Sequence, residues 1–277
     1  MTLGRQGLHG RLAAEMHGTG HGRKPPVVLL HGLTYDRRQW GPLIGKLTAA
    51  EPERQIVAFD LPGHGGSPDA ESCRPSDLAS ELRRSIDAIG LAAPMLVGHS
   101  FGAVVATAYA AAHPAAGVIN VDQPLLAGPF ARRLREVEPL LRGPGWRDVW
   151  NEQLAAMGID TLPAEARELV RTATTPRQEL LLEYWRELLE VPSEELAELR
   201  TSEMRAIVAA GASYSHVSGG DVPAPYAQWL SAVMPSVRIV SLPGGGHFPH
   251  LVHPAGIANL LTGRPDDRPD VIPPALA

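Results

Sequence analysis

The pentapeptide GHSFG at residues 98–102 places a serine between two glycines. It follows the apolar run PMLV and opens an alanine-rich stretch, so Ser100 falls in the turn between a predicted strand and a predicted helix. In this context a G-x-S-x-G motif exposes the serine hydroxyl, and Gly98 and Gly102 leave room for the crowded backbone. In a loop the same five residues would mean little, but here the pattern predicts that Ser100 is a catalytic nucleophile.

A nucleophilic serine needs a general base, because its hydroxyl is almost fully protonated near neutral pH. The segment LPGGGHFPHLVHP, directly after the last predicted strand, carries three histidines. We interpret His247 as the base, and His250 and His253 as solvated or hydrogen-bonded loop histidines. His99, beside the nucleophile, is expected to point elsewhere.

Attack by a serine on a carbonyl carbon builds negative charge on the carbonyl oxygen, and backbone N–H groups can stabilise that charge. One donor is expected from Phe101, at the start of the helix, where unpaired amides collect. The second is expected from Leu33, in the loop HGLTYDRRQW after the strand VVLL. A structural role in shaping that turn is the simpler interpretation of His31.

Short apolar runs bounded by Gly or Pro predict the strands that must hold these groups. The runs lie at residues 25–32, 54–60, 94–100, 116–122, 205–211 and 237–244. Helical patterns separate most of them, such as RPSDLASELRRSIDAIG with its stop at Gly90. Strands alternating with helices predict the α/β class, with a doubly wound, mostly parallel sheet.

Residues 123–202 break the alternation, because they contain helical patterns and no convincing strand. The segment RQELLLEYWRELLE places Trp185 on an apolar helical face. Either this is an ordinary helical subdomain or it is a cap that closes over a substrate pocket, with Trp185 in its wall. We therefore divide the chain into a core (residues 1–122 and 203–264), a helical cap (123–202) and a flexible, Pro- and Asp-rich tail (265–277).

Composition narrows the function classes. The 277 residues are 44% hydrophobic and 20% charged, with a net charge of −5, which favours neither nucleic acid nor an anionic membrane surface. The single Cys73 cannot form an internal disulfide, and no Cys/His cluster has zinc spacing, so no metal is expected. The N-terminus lacks an apolar signal core, and the longest apolar run, 103–112, is too short to cross a bilayer. These features are typical of a cytoplasmic protein that acts on small molecules.

Four segments in order, VVLLHGLTYDRRQW, VAFDLPGHGGS, LVGHSFGAVVA and VSLPGGGHFPHLVHP, closely resemble the α/β-hydrolase superfamily, in particular its cap-bearing esterase, haloperoxidase-like and lactonase branch. The resemblance covers roughly residues 10–263. It implies an eight-stranded sheet, a cap between strands six and seven, a Ser–His–acid triad and no cofactor. Because serine replaces aspartate as nucleophile, the dehalogenase and epoxide hydrolase branches are not expected. Asp60 falls in a segment that the resemblance makes a structural turn.

The acid that orients His247 has two candidates. The family usually places it just after the seventh strand, yet the run after 205–211 reads Ala212, Ser213, Tyr214, and the first carboxylate is Asp221. Asp221 also suits the N-cap of the following helix. Asp122 ends the strand GVINV, where catalytic groups of parallel sheets gather. We favour Asp122, because it emerges from a rigid element, and keep Asp221 as the alternative.

The residues and the resemblance together predict a serine hydrolase that cleaves a carboxylic ester, lactone or thioester with a small to medium apolar acyl group. A carbon–carbon bond hydrolase or a perhydrolase could use the same triad. A ligand-binding protein on a hydrolase fold is the alternative outside enzymology, although such a protein needs neither the nucleophile nor its base.

Overall fold

Buried apolar runs and amphipathic helices assemble into one sheet with helices on both faces in the computed structural model, which describes residues 4–171, 175–263 and 271–272. The strands of the described chain are β1 (Arg5–His9), β2 (Leu12–His17), β3 (Val27–Leu30), β4 (Ile56–Phe59), β5 (Met95–His99), β6 (Gly117–Val121), β7 (Ser213–Ser218), β8 (Arg238–Ser241) and β9 (Val271–Ile272). Their order across the sheet is β1-β2-β4-β3-β5-β6-β7-β8-β9. Strands β3 to β8 are parallel, and β1, β2 and β9 are added antiparallel at the edges.

The helices of the described chain are α1 (Gly41–Ala50), α2 (Pro75–Ile89), α3 (Phe101–Ala112), α4 (Gly128–Glu136), α5 (Glu138–Arg142), α6 (Trp146–Ala156), α7 (Ala164–Arg171), α8 (Gln178–Tyr184), α9 (Arg186–Glu190), α10 (Ser193–Ala209), α11 (Ala224–Val233), α12 (Pro249–Val252) and α13 (Pro254–Thr262). Helix α2 begins with a proline at its first position and ends at Gly90, whose φ of 77° satisfies the left-handed C-terminal position.

The central strands are buried on both faces because their side chains point alternately to two cores. Val28 and Leu30 of β3 join the core under α2, α3 and α10, whereas Val27 and Leu29 join the core under α1 and α13. This arrangement confirms the predicted fold class of a mostly parallel, doubly wound sheet. The two-residue β9 adds a ninth strand to the eight expected.

The run at 205–211, predicted as a strand, is instead the end of α10, and the strand lies at Ser213–Ser218. A short apolar run does not distinguish a buried strand from a buried helix. Here it continues the helical face of α10, and Gly211 with φ of 71° follows the helix end. Strand β7 reads SYSHVS and is buried from Tyr214 to Ser218. Because its composition is polar, the sequence did not predict a strand here.

Between β6 and β7 the described chain is helical. Helices α4 to α9 lie within the segment 123–202 that we predicted as a cap, while α10 runs across the expected boundary at 202 and packs on α3 of the core. Of the predicted tail 265–277, only the backbone pairing of Val271–Ile272 with β8 is described, and the rest lies outside the described residues.

Candidate active site

The serine of GHSFG sits on a strained turn between β5 and α3. Ser100 has φ of 50° and ψ of −126°, a conformation that costs a non-glycine residue about 1–3 kcal/mol. Neighbouring backbone leaves no room for side chains, because a Cβ on Gly98 would lie 2.3 Å from the Gly102 carbonyl oxygen and one on Gly102 would lie 2.4 Å from that of Leu30. The turn is fixed to the sheet by the Ser100 N–H, which donates to the Val121 carbonyl at 3.0 Å.

The loop after β3 lies directly against this turn. A Cβ on Gly32 would lie 3.1 Å from the Ser100 Cβ, and the next residue, Leu33, lines the same cavity as Ser100 and Phe101. Thr34 has φ of 67°, and its N–H donates to His64 Nε2 at 2.9 Å. Leu33 and Phe101, the two residues expected to supply oxyanion donors, therefore lie in the same cavity wall as Ser100.

Two buried histidines hold that loop in place. His31 Nδ1 bonds to the Gly32 carbonyl at 2.7 Å, and its Nε2 accepts the Leu61 N–H at 2.9 Å, so the ring needs to be neutral. Burial lowers the pKa of His31 to about 4, and that of His64 to about 3. His31 has the structural position anticipated from sequence. The matching role of His64 was missed, although its segment DLPGHGGS already indicated a turn.

Asp60 also has a structural environment. It is fully buried, it accepts the N–H groups of Arg37 at 2.8 Å and Gly66 at 2.8 Å, and it pairs with the Arg37 guanidinium. These contacts tie the β4 turn to the loop after β3.

His247 and Asp122 form a hydrogen-bonded pair. His247 Nδ1 lies 2.9 Å from Asp122 Oδ2, and both residues line the cavity with Ser100. Burial raises the pKa of Asp122, but the hydrogen bond and charge of His247 and the Gly219 N–H outweigh burial, so its pKa lies below the usual range. An ionised Asp122 holds the proton on His247 Nδ1, which leaves Nε2 as the acceptor that a serine hydroxyl needs.

The ends of β6 and β7 together fix the Asp122 carboxylate. Its Oδ1 accepts the Gly219 N–H at 3.0 Å and the Ser218 hydroxyl at 3.2 Å. Asn120 clamps the following turn, since its Oδ1 accepts the Gln123 N–H at 3.1 Å and its Nδ2 donates to the Gln123 carbonyl at 2.8 Å. Asp122 itself has φ of 53°, a strained backbone typical of functional turns.

Asp221 lies elsewhere. With β7 ending at Ser218, Asp221 does follow the seventh strand closely, but it is exposed and Pro223 occupies the N-cap of α11, so the expected capping role is not realised. A Cβ on Gly219 would lie 1.8 Å from the Gly246 carbonyl oxygen. The β7 turn therefore touches the His247 loop through backbone, and the carboxylate that reaches His247 comes from β6.

Two of the histidines around His247, His99 and His250, are buried. His99 Nε2 bonds to the His247 carbonyl at 2.7 Å, so the residue that precedes Ser100 holds the loop that carries His247, a contact that the sequence did not predict. His250 is 1% exposed, and neither of its ring nitrogens has a partner among the described residues, which corrects the expected solvated or hydrogen-bonded loop histidine. His253 Nε2 does bond to the Pro243 carbonyl at 2.8 Å, as a loop histidine should.

A cavity of about 670 Å³ opens above these groups, between the carboxyl ends of the central strands and residues of helices α4, α6 and α8 to α11. Trp185 lines it, with its ring edge-on to Phe130 at 5.9 Å and tilted against Trp150 at 6.0 Å between ring centroids. Tyr184 joins cap and core, since its hydroxyl donates to the Pro62 carbonyl at 2.8 Å and its ring contacts that of Phe101 at 4.8 Å. Most of the remaining wall is apolar, with Val104, Leu125, Leu126, Met157, Leu188 and Leu196.

Other chemistries find little support in the residues that the structure describes. No three His, Cys, Asp or Glu side chains there converge as metal ligands. Burial raises the pKa of the Cys73 thiol to about 12, which disfavours a thiolate nucleophile. None of the described helices has both the length and the apolar character needed to span a membrane.

Residues 27–260 match the Alpha/beta hydrolase family, and the chain belongs to it. A putative carbamate hydrolase, RutD, of Escherichia coli O7:K1 (strain IAI39 / ExPEC) is 32% identical over 145 residues, which is 51% of this chain and 52% of the relative. RutD of Escherichia coli O157:H7 is 33% identical over 132 residues, 46% of this chain and 48% of the relative. The chain thus spans about half the length of the curated relatives it matches.

Solved structures share the fold across nearly the whole chain. AqdC, described as recognising the Pseudomonas quinolone signal and cleaving its ring, superposes with a TM-score of 0.74 at 19% identity, covering 94% of this chain and 100% of AqdC. A thermophilic esterase from Thermogutta terrifontis gives a TM-score of 0.70 at 21% identity, covering 91% of this chain and 92% of the esterase. At these identities the likeness concerns the fold alone.

Proposed function

We propose that the protein is a serine hydrolase that cleaves a carboxylic ester, lactone or thioester through an acyl-enzyme on Ser100. The observation that carries the proposal is the hydrogen bond of 2.9 Å between His247 and Asp122 beside a serine on a strained turn, with all three residues lining one cavity. A protein that only binds ligands has no need of this combination.

In the first half-reaction His247 Nε2 removes the Ser100 hydroxyl proton as the serine oxygen attacks the substrate carbonyl carbon. The negative charge that develops on the carbonyl oxygen is stabilised by the N–H groups of Leu33 and Phe101. Asp122 stabilises the imidazolium and keeps its Nδ1 proton in place. His247 then gives the proton to the leaving alcohol or thiol, and the acyl group stays on Ser100.

In the second half-reaction water attacks the acyl carbon while His247 Nε2 takes a proton from it, and His247 then returns that proton to the Ser100 oxygen as the bond to the acyl carbon breaks and the acid is released. The curated relatives are described as putative carbamate hydrolases, and a carbamate presents a comparable carbonyl to the nucleophile. The cavity of about 670 Å³ and its apolar walls favour a substrate with a sizeable apolar acyl group over a minimal carbamate.

A covalent probe tests the proposal. We expect a fluorophosphonate to label the wild-type protein and not Ser100→Ala, and p-nitrophenyl esters to be hydrolysed with turnover reduced on the order of 10⁶-fold in that variant. Ser80→Ala, an exposed serine on α2, is the matched control and should label normally at Ser100. Labelling of Ser100→Ala, or more than a few per cent of wild-type turnover, would refute the assignment.

A further inference from the structure

A series of buried hydrogen bonds connects the end of β6 to helix α3. Asn120 Nδ2 lies 3.1 Å from the Tyr214 hydroxyl, which lies 2.9 Å from the Thr107 hydroxyl. Thr107 in turn donates to the Ala103 carbonyl at 2.7 Å. The three residues that contribute side chains are each at most 1% exposed. These bonds, called the Tyr214 network below, therefore cross the interface between the sheet and α3 away from solvent.

The hydrogen bonds of the Tyr214 network all run in one direction. A threonine hydroxyl carries a single proton, and Thr107 gives it to Ala103, so the proton between Thr107 and Tyr214 belongs to Tyr214. The Tyr214 oxygen in turn accepts the amide N–H of Asn120. Burial raises the pKa of Tyr214 to about 12, so its hydroxyl keeps the proton that it donates. Hydrogen bonds aligned in this way polarise and strengthen one another.

The two ends of the network reach the turns that carry the nucleophile and the acid. At one end Ala103, which accepts the last hydrogen bond, donates its own N–H to the Ser100 carbonyl at 2.8 Å. At the other end Asn120 holds Gln123 through two hydrogen bonds, of 3.1 Å and 2.8 Å. Asp122 lies between these two residues. The network thus links the turn that carries Asp122 to the first turn of α3.

An interface that only packs would not need these polar groups. Phenylalanine in place of Tyr214 and valine in place of Thr107 would fill nearly the same volume without the cost of burying two hydroxyls. Asp122, in contrast, needs to be held, because it has φ of 53° and its carboxylate must meet His247. A strained backbone persists only where the surrounding contacts hold it. The Tyr214 network supplies such contacts.

Resting on the proposed function, we propose that the Tyr214 hydroxyl is a positioning group that holds the Asp122 carboxylate within reach of His247. Tyr214 is not part of the described cavity wall, so it acts on the reaction through Asp122. Without the hydroxyl, Asn120 Nδ2 loses one acceptor and the turn that Asn120 clamps loosens. Asp122 then spends less time on His247 Nδ1, and the base is more often in the wrong tautomer.

Steady-state kinetics on a p-nitrophenyl ester test the proposal. Tyr214→Phe removes only the hydroxyl, and we expect it to lower kcat roughly 10-fold with little change in KM, because a displaced catalytic group costs turnover rather than binding. Tyr109→Phe makes the same change at another fully buried tyrosine, on α3, and should leave kcat nearly unchanged. Thr107→Val should lower kcat as Tyr214→Phe does, whereas Thr107→Ser keeps the accepting hydroxyl and should restore it.

A double-mutant cycle shows whether the effect passes through Asp122. In an Asp122→Asn background the carboxylate is already absent, so Tyr214→Phe should have little further effect on kcat. If the two substitutions instead lower kcat independently, Tyr214 acts by another route and the proposal is wrong.

The tautomer of the His247 ring provides a readout that does not depend on hydrolysis. Long-range proton–nitrogen NMR spectra, recorded where the ring is neutral, give the fraction with the proton on Nδ1. We expect Tyr214→Phe to lower this fraction and Tyr109→Phe to leave it unchanged. That result would support the positioning role even if the protein cleaved no ester, so a failure of the proposed function would be recognised separately.

Thermal unfolding shows whether each variant is folded, and Thr107→Val provides the same comparison if Tyr214→Phe does not fold. If a folded variant that lacks either hydroxyl has the wild-type tautomer fraction, the Tyr214 network only stabilises the fold and the proposal is wrong.

Discussion

The two walls of the cavity are built by different means. The core wall consists of strand ends and their turns, where Thr34, Ser100 and Asp122 all have positive φ and hydrogen bonds fix the neighbouring backbone. The cap wall consists of helices whose apolar and aromatic side chains, such as Trp150 and Trp185, pack on one another. The core wall therefore holds individual atoms in position, whereas the cap wall determines the shape of the cavity.

This difference predicts how each wall responds to substitution. Where hydrogen bonds and backbone strain hold a reactive group in position, a substitution that changes one atom of that group should lower the turnover of the protein, even if the variant still folds. A side chain that defines shape by packing should tolerate changes in volume, with a new preference among substrates. Substitutions on the two walls can therefore separate catalysis from selectivity.

Among the substitutions that compare the two walls, the largest effect is expected at Asp122. Asp122→Asn changes the volume little, but the amide can favour the wrong His247 tautomer, and we expect turnover to fall roughly 10⁴-fold with substrate binding retained. Asp221→Asn is the control, because this exposed side chain should affect turnover by no more than a few-fold. Steady-state kinetics on one p-nitrophenyl ester, with KM and kcat separated, measures both.

Two results would contradict the assignment of Asp122 as the carboxylate that orients His247. If Asp221→Asn were the inactive variant, the β7 turn would have to move to bring Asp221 to His247 during catalysis. If both variants stayed active, the Asp122 contact would be structural and His247 would work without a carboxylate.

The sequence predicted the parts of this wall that local motifs specify. G-x-S-x-G determines its own turn because only glycine fits at positions 98 and 102, and Asp122 could be favoured because a strand end is a local feature. The identity of β7 could not be read correctly, because Ser215 and His216 are polar yet buried by tertiary contacts. The usual site of the acid was therefore sought in the wrong turn, and the preference for Asp122 rested on its place at a strand end and on the rigidity of that strand.

The contacts made by His64, His99 and His250 were beyond sequence reasoning for a related reason. His64 lies in a turn, His99 at the end of β5 and His250 in α12. Their contacts are with residues distant in the chain, as with His99 and the His247 carbonyl, 148 residues apart, and with the rings of His250 and Trp40. Spacing along the chain gives no information on such pairs. The same holds for contacts within the cap. The helical pattern identified Trp185 as part of an apolar face, but it could not predict the contacts of Trp185 with Phe130 and Trp150.

The pH dependence of stability provides a second way to distinguish the core from the cap, because all histidines lie outside residues 123–202. Burial lowers the pKa of His31 and His216 to about 4 and that of His64 and His250 to about 3. Between these values and about 6.5 the unfolded chain binds more protons than the folded one, so stability falls as the pH drops through this window. Each such group contributes up to about 1.4 kcal/mol per pH unit.

We therefore expect urea unfolding to show a steep loss of stability from pH 6.5 towards pH 4, while stability changes little between pH 7 and pH 8. His250→Leu should flatten that dependence by up to about 1.4 kcal/mol per pH unit, because it removes one buried titrating group. His21→Gln, at an exposed position, serves as the control and should not change the slope. An unchanged slope in His250→Leu would mean that His250 accepts a proton in the folded state.

The smallest effect is expected in the cap. Trp185→Ala enlarges the cavity beside the acyl group, and each methylene that gains buried space contributes up to about 0.8 kcal/mol. We expect the kcat/KM ratio of long to short p-nitrophenyl esters to rise roughly 10-fold. The loss of unfolding free energy should be smaller than in a matched substitution in the core. Trp40→Ala is the counterpart in the core, where a fully buried side chain should cost about 3–5 kcal/mol of stability. If Trp185→Ala instead lost stability like Trp40→Ala and kept its chain-length preference, Trp185 would be a packing residue, and the cap wall would fix the fold rather than the substrate.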